Sequence, residues 1–176
     1  VWARVRRQFE ANRPGPARTT LAALPASQAV DAKALDKVID SPMAYLAKQS
    51  AGWSSSRSGR ELTALAIQRA AANDPRTAAA ELEKLQVRMH DSERQWAWSQ
   101  LGLQAAKRHY SEALDWYALG GETPLSDEGA QWKVRAALRA HDWSVVLATI
   151  VAMPPTLAAQ PEWVYWLGRA YKAGGL

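Results

Sequence analysis

Three tryptophans in the second half of the chain recur at an interval of 34 residues, at Trp98, Trp132 and Trp166. Each is followed four residues later by a small residue, and these are Gly102, Ala136 and Ala170. A large aromatic with a small residue one helical turn later lets two helices approach closely while the ring fills the groove beside them. We therefore expect the three tryptophans to occupy equivalent, largely buried positions between helices.

An interval of 34 residues is also the period of tetratricopeptide repeats, which are helix pairs carrying a W-x2-L-G pattern. The stretch Trp98-Ser-Gln-Leu101-Gly102 matches that pattern. Three positions where the repeat has tyrosine carry other residues, namely Ala105, Arg139 and Ala173. The spacing predicts an all-α protein: a superhelical α-solenoid of short helical hairpins, tetratricopeptide-like in its second half.

Helix start and stop signals divide the chain into roughly ten short helices. Starts are indicated at Ser41-Pro42, Asp74-Pro75, Ser126, Pro161 and the capping-box sequence Ser92-Glu-Arg-Gln95. Stops are indicated at Gly120-Gly121 and Gly174-Gly175. Residues 51–59 are rich in serine and glycine and are predicted to be a loop. This loop separates N-terminal helical hairpins in residues 1–50 from the tetratricopeptide-like repeats in residues 60–176, which we expect to continue the same superhelix.

Composition excludes several classes of site. There is no cysteine, which rules out disulfides, thiolate metal ligands and cysteine nucleophiles. None of the three histidines, His90, His109 and His141, has a second histidine at helical spacing, and no metal and no cofactor is predicted. No apolar run approaches the roughly 18–20 residues of a membrane-spanning helix, so no integral membrane segment is expected.

The net charge of +5 is concentrated at the N-terminus. Residues 1–20 contain five arginines and one glutamate, whereas the remaining charges nearly cancel. A basic excess confined to one terminal segment is typical of a solvated basic end and does not point to nucleic acid.

The tryptophans outside the 34-residue register are candidates for ligand contact. Exposed indole faces stack on sugar rings, whereas a tryptophan at a fixed repeat position usually packs between helices. We therefore expect Trp96, Trp116 and Trp163 to be the more exposed ones.

Several segments resemble one known family in the identity, order and spacing of their residues. They are Leu62-Thr-Ala-Leu-Ala-Ile-Gln-Arg-Ala70, Glu93-Arg-Gln-Trp-Ala-Trp98, Gln131-Trp-Lys-Val-Arg-Ala-Ala-Leu-Arg-Ala140 followed by His-Asp-Trp143, and Trp163-Val-Tyr-Trp-Leu-Gly-Arg-Ala-Tyr171 after Met153-Pro154. Together they are similar to the superhelical domain of soluble lytic murein transglycosylases over residues 60–176, with weaker likeness in residues 1–50.

This resemblance implies a periplasmic enzyme that cleaves the β-1,4 bond between N-acetylmuramic acid and N-acetylglucosamine in peptidoglycan and leaves a 1,6-anhydro end. In that family one glutamate of a Glu-Ser motif acts as acid and base. The chain contains no Glu-Ser pair and no Gly-Leu-Met-Gln stretch, so no catalytic residue is assigned. We expect the catalytic domain to follow Leu176, and the start at Val1 to mark a mature or trimmed piece.

The resemblance implies that this part scaffolds its own C-terminal catalytic domain and positions glycan strands. If it touches peptidoglycan, Arg4, Arg6 and Arg7 are the expected contacts, because guanidinium groups pair with stem-peptide carboxylates. Two other classes remain open. A tetratricopeptide-like adaptor for peptides or proteins would display a row of Asn, Lys and Arg, of which Lys107 and Lys133 are suggestive. An RNA-binding helical repeat would display stacking aromatics beside arginines.

Overall fold

The computed structural model describes residues 1–49 and 56–175, and within these ranges the protein is helical without any strand. The predicted all-α class is therefore confirmed. The helices are α1 (Trp2–Glu10), α2 (Pro14–Ala22), α3 (Ala32–Asp40), α4 (Pro42–Gln49), α5 (Arg57–Asn73), α6 (Pro75–Leu85), α7 (Asp91–Lys107), α8 (Ala113–Leu119), α9 (Asp127–Arg139), α10 (Trp143–Val151), α11 (Pro155–Ala158) and α12 (Pro161–Ala173). Short 3-10 helices cover Ala26–Gln28 and Gln86–Arg88.

Most helices begin where capping chemistry predicts. The side chains of Asp74 and Ser126 accept hydrogen bonds from the backbone N–H groups three residues later, which satisfies donors that the first helical turn leaves free. The capping box of α7 lies two residues earlier than predicted, since Glu93 accepts from the backbone N–H of His90 at 3.0 Å. The Ser92 hydroxyl instead accepts hydrogen bonds from Arg6.

The predicted loop at 51–59 is only partly open to description, because residues 50–55 lie outside the described ranges. Ser56 caps α5 by accepting from the backbone N–H of Gly59 at 3.1 Å. Residues 57–59 are therefore helical, and α5 begins three residues before the predicted repeat region.

Two helices, α5 and α7, are enclosed by the others. Residues 61–68 of α5 and 96–103 of α7 are buried without interruption, so neither helix has a solvent face over two turns. Helix α5 packs against α1, α3, α4, α6 and α7, whereas α7 packs against α5, α6, α8 and α9. The remaining helices surround this central pair or extend from it through α9 and α10 to α12.

The buried apolar side chains form two clusters. The larger one extends from α1 to α8 and includes Ala136 of α9, and the smaller one joins α9, α10, α11 and α12. The half-buried leucines Leu114 and Leu125 pack against both clusters and connect them.

The predicted burial is confirmed for Trp98, whereas the expected exposure of the tryptophans outside the register is wrong. Among the repeat tryptophans, Trp98 is 1% exposed, but Trp132 and Trp166 are only half-buried. The three that were expected to be exposed are buried: Trp96, Trp116 and Trp163. Helix α7 is enclosed by other helices, so Trp96 and Trp98 are buried although they lie on different faces of it. Helix α12 is oriented so that Trp163 faces the interior.

The predicted close approach of helices at the small residues is realised at Gly102. A Cβ atom built on Gly102 would lie 2.8 Å from Cγ of Tyr117 in α8. The absence of a side chain therefore lets α7 and α8 pack at this point.

Replacement of Gly102 by alanine is expected to lower the free energy of unfolding, measured by urea denaturation. The added Cβ would also meet the backbone nitrogen of Tyr117 at 3.0 Å, and such overpacking costs roughly 1–3 kcal/mol. The better helix propensity of alanine, roughly 0.8–1 kcal/mol, offsets only part of that cost.

Gly168→Ala is the matched control, because a Cβ at Gly168 in α12 would meet no atom of the described residues within 4 Å other than those of its chain neighbours and its own helix backbone. This variant should benefit from the higher helix propensity of alanine without any clash, so its free energy of unfolding should rise. Equal stability changes in the two variants would show that the contact at Gly102 does not restrain the packing of α7 on α8.

Candidate functional site

The three N-terminal arginines of α1 have different environments. Arg4 and Arg7 are exposed, whereas Arg6 is half-buried and faces the centre of the protein. The structure thus leaves two of the three predicted contact residues free for a ligand. Their contact with peptidoglycan stays a prediction.

Arg6 is engaged by a buried carboxylate. Its Nε and Nη2 donate to the two carboxylate oxygens of Glu61 at 3.0 and 2.7 Å, and the Glu61 side chain is only 1% exposed. Both Nη atoms also reach the Ser92 hydroxyl at 3.1 Å, and the guanidinium lies 5.5 Å from the ring centroid of Trp96. Arg6 therefore joins α1 to α5 and α7, and it is not available to a ligand.

A second arginine–glutamate pair joins the two enclosed helices. Arg60 Nε of α5 lies 2.5 Å from Oε1 of Glu93 in α7. Burial alone would raise the pKa of the Glu93 carboxyl, but the hydrogen bonds from the His90 backbone and from Arg60 outweigh it and lower that pKa. Glu93 is thus held as an ionised structural group.

A groove of about 480 Å³ has a polar lining. It is bounded by the C-terminal end of α1, the junction of α3 and α4, one face each of α5 and α7, and the start of α9. We call it the polar groove. Its hydrogen-bonding side chains include Glu10, Asn12, Gln68, Arg69, Asn73, Gln100, Gln104, Lys107 and Glu128.

Glu10 is an ionisable group of the polar groove that is held by two hydrogen bonds. Its Oε1 accepts hydrogen bonds from Nε1 of Trp96 at 2.7 Å and from Nε2 of Gln100 at 3.0 Å. Burial raises the pKa of Glu10, although the Trp96 hydrogen bond and the charges of Arg7 and Arg6 act in the opposite direction. The far side of the groove carries an ion pair between Lys107 and Glu128 at 2.7 Å.

Gln68 is a buried amide with unused hydrogen-bonding capacity. It is 9% exposed, and its Nε2 donates weakly to the carbonyl of Phe9 at 3.3 Å, whereas Oε1 has no partner within residues 1–49 and 56–175. The neighbouring Arg69 donates to the carbonyl of Ile39 and to Oδ1 of Asn12 at 2.8 Å. The groove therefore combines amide donors and acceptors with fixed charges, a set suited to binding hydroxyl and amide groups.

Metal and membrane sites receive no support from the described ranges. No group of three or more His, Asp or Glu side chains there is arranged to hold a metal ion. The three histidines are exposed at helix ends, where His90 precedes α7, and His109 and His141 adopt positive φ after α7 and α9. No helix in the same ranges is long and apolar enough to cross a bilayer.

The polar groove was not predicted from the sequence. Its signal is present as glutamines within otherwise apolar helical stretches, with Gln68 following Ile67 and Gln100 preceding Leu101. A polar residue buried within such a stretch requires a partner or a function. The opposing side chains Glu10 and Asn12 lie more than fifty positions away, so the sequence did not indicate that they share the site.

Searches with models of protein families, against curated proteins and against solved structures found no match to this chain. The function must therefore be inferred from the residues and their geometry.

We predict that Arg6→Gln lowers the free energy of unfolding by roughly 3–5 kcal/mol in urea denaturation, because it leaves the buried carboxylate of Glu61 without its bidentate partner. Arg4→Gln is the control, since Arg4 lies exposed on the same helix and should change stability by no more than about 0.5 kcal/mol. Equal losses in both variants would contradict the structural role of Arg6.

Glu10→Gln is expected to change how stability depends on pH. A carboxyl pKa raised in the folded state means that ionised Glu10 costs stability, and this cost appears as the pH rises through the folded pKa. The melting temperature of the variant relative to the parent should therefore increase between about pH 3 and pH 7. Glu83→Gln, which removes one exposed negative charge from α6, is the control, and the same trend in both variants would refute the assignment to Glu10.

Proposed function

We propose that this chain is the non-catalytic superhelical part of a periplasmic lytic transglycosylase acting on peptidoglycan. In this proposal it scaffolds a catalytic domain of the same protein and positions glycan strands for cleavage of the bond between N-acetylmuramic acid and N-acetylglucosamine. The proposal includes an α-solenoid arrangement of the helix pairs.

The observation that carries the proposal is the agreement between the resemblance and the helix spacing. Helices α5, α7, α9 and α12 begin at residues 57, 91, 127 and 161, close to a 34-residue period. The segments that resemble the family fall on these helices and on α10, which follows α9. A repeated helix pair of constant length is the unit from which superhelical domains are built.

The polar groove supports a role in glycan positioning. Sugar hydroxyls and acetamido groups both donate and accept hydrogen bonds, and the amides of Gln68, Asn73 and Gln104 can do the same. The exposed Arg4 and Arg7 add positive charge on α1 for acidic stem peptides.

An adaptor for peptides or proteins is the alternative function. It requires a row of free cationic or amide side chains, of which Lys107 and Lys133 were the suggestive members. Lys107 is paired with Glu128, so that row is not formed by these two lysines. We therefore favour the transglycosylase assignment.

The first test concerns catalysis. The purified segment, incubated with peptidoglycan, should release no 1,6-anhydro products in a muropeptide analysis, because glycosidic cleavage of this kind needs a positioned acid/base and the family's Glu-Ser pair is missing. Release of such products would show that a catalytic residue lies within this chain.

The second test concerns binding. Sacculi should retain the parent segment at low salt, and Arg4→Gln/Arg7→Gln should lower retention by about three- to tenfold, since exposed ion pairs are worth roughly 0.2–1 kcal/mol each. High salt should weaken the parent in the same way.

The matched control is Arg88→Gln/Arg139→Gln, which removes the same charge from exposed arginines on other elements. It should be retained like the parent. Equal losses in both double variants would reveal nonspecific charge attraction, and failure of sacculi to retain the parent would contradict the proposed function.

A further inference from the structure

A second pocket, of about 570 Å³, lies between α9 and α10. It is lined by residues 121–125, which connect α8 to α9, by Ala130 and Lys133 of α9, by one face of α10, and by Met153 and Pro154. Its volume is within the range of small-ligand sites. We call it the Lys133 pocket, and it shares no residue with the polar groove.

Lys133 is a half-buried cation without a hydrogen-bonded or ion-paired partner among the described residues. Its ammonium lies 5.8 Å from the ring centroid of Tyr117. Burial lowers the pKa of Lys133, while the charge of Glu122 opposes this shift. Because burial disfavours the charged form of Lys133, an anion bound in the pocket would stabilise its ammonium.

Thr149 provides a second unsatisfied group in the same pocket. Its side chain is 6% exposed, and Oγ1 has no hydrogen-bond partner among the described residues. Buried hydroxyls are normally satisfied, so an unpaired hydroxyl on the lining of a pocket that also holds an unpaired cation indicates a missing acceptor.

The chemistry of the remaining lining restricts the ligand. Leu125, Val145 and Met153 contribute apolar surface, which suits a small apolar body. A single cation matches a monoanion, and Glu122 on the pocket lining disfavours ligands with two negative charges. A carboxylate on a small apolar residue fits these conditions better than a phosphate.

We propose that the Lys133 pocket binds the C-terminal carboxylate of a peptide that ends in a small apolar residue, with Lys133 pairing with the carboxylate and Thr149 donating its hydroxyl to it. This inference does not depend on the proposed function, because it uses neither the polar groove nor the N-terminal arginines.

The test is a titration with N-acetyl-Ala-Ala bearing a free carboxylate, and with the same peptide as its carboxamide, followed by calorimetry and NMR. We expect the acid to bind at least tenfold more tightly than the amide and to raise the pKa of the Lys133 ammonium. Peptides of L- and D-alanine distinguish an ordinary peptide terminus from a stem peptide of the wall, and saturable binding of either acid supports the proposal.

Lys133→Met, which keeps the aliphatic stem and removes the charge, should lose the preference for the acid. Thr149→Val should weaken acid binding by about three- to tenfold, and Glu122→Gln should strengthen it. Lys172→Met is the matched control because Lys172 is an exposed lysine of α12 outside the pocket, and it should bind like the parent. Melting curves establish that each variant is folded.

Three outcomes would overturn the proposal. They are equal binding of acid and amide, unchanged acid binding by folded Lys133→Met, and the lack of saturable binding of either acid to the parent protein.

Discussion

The structure depends on the pairing of buried carboxylates with arginines. These carboxylates belong to two helices that have no solvent face over two turns. Helices α5 and α7 bury the carboxylates of Glu61 and Glu93, which are 1% and 3% exposed. A carboxylate removed from water without a cation is strongly unfavourable. Arg6 meets this requirement for Glu61, and Arg60 meets it for Glu93. The position of α1 against the central pair is thereby fixed by charge as well as by apolar packing.

This requirement separates the N-terminal basic segment into two kinds of arginine. Arg6 is used to hold the fold together, whereas Arg4 and Arg7 project from the same helix into solvent. The helix that carries the proposed peptidoglycan contacts is therefore anchored beside the polar groove, to which its last residue, Glu10, also contributes. Helix α1 therefore carries both the proposed peptidoglycan contacts, Arg4 and Arg7, and a residue of the polar groove, Glu10.

Local chemistry in the sequence predicted the helices, while contacts distant in sequence decided burial and the site. Asp74, Ser126 and the glycine pairs marked helix limits because caps and positive φ depend on neighbouring residues. The burial of Trp96 and the structural role of Arg6 both require contact between α1 and α7. These helices are distant in sequence, since the hydrogen bond from Trp96 to Glu10 joins residues 86 positions apart. Since a helix enclosed on all sides shows little amphipathic pattern, its sequence did not reveal which faces were covered.

The division of the apolar interior into two clusters has a consequence for how the protein opens. The smaller cluster meets the larger one through Leu114 and Leu125 and through α9, whose Ala136 belongs to the larger cluster, whereas α12 packs mainly against α10 and α11. The packing of α10 to α12 can therefore be lost while most of the larger cluster persists. Amide hydrogens in α12 would then exchange through a partial opening, and those in α5 and α7 only when the whole domain unfolds. The Lys133 pocket lies in the more easily opened part, so an occupant there would add its binding energy to the less stable half of the molecule.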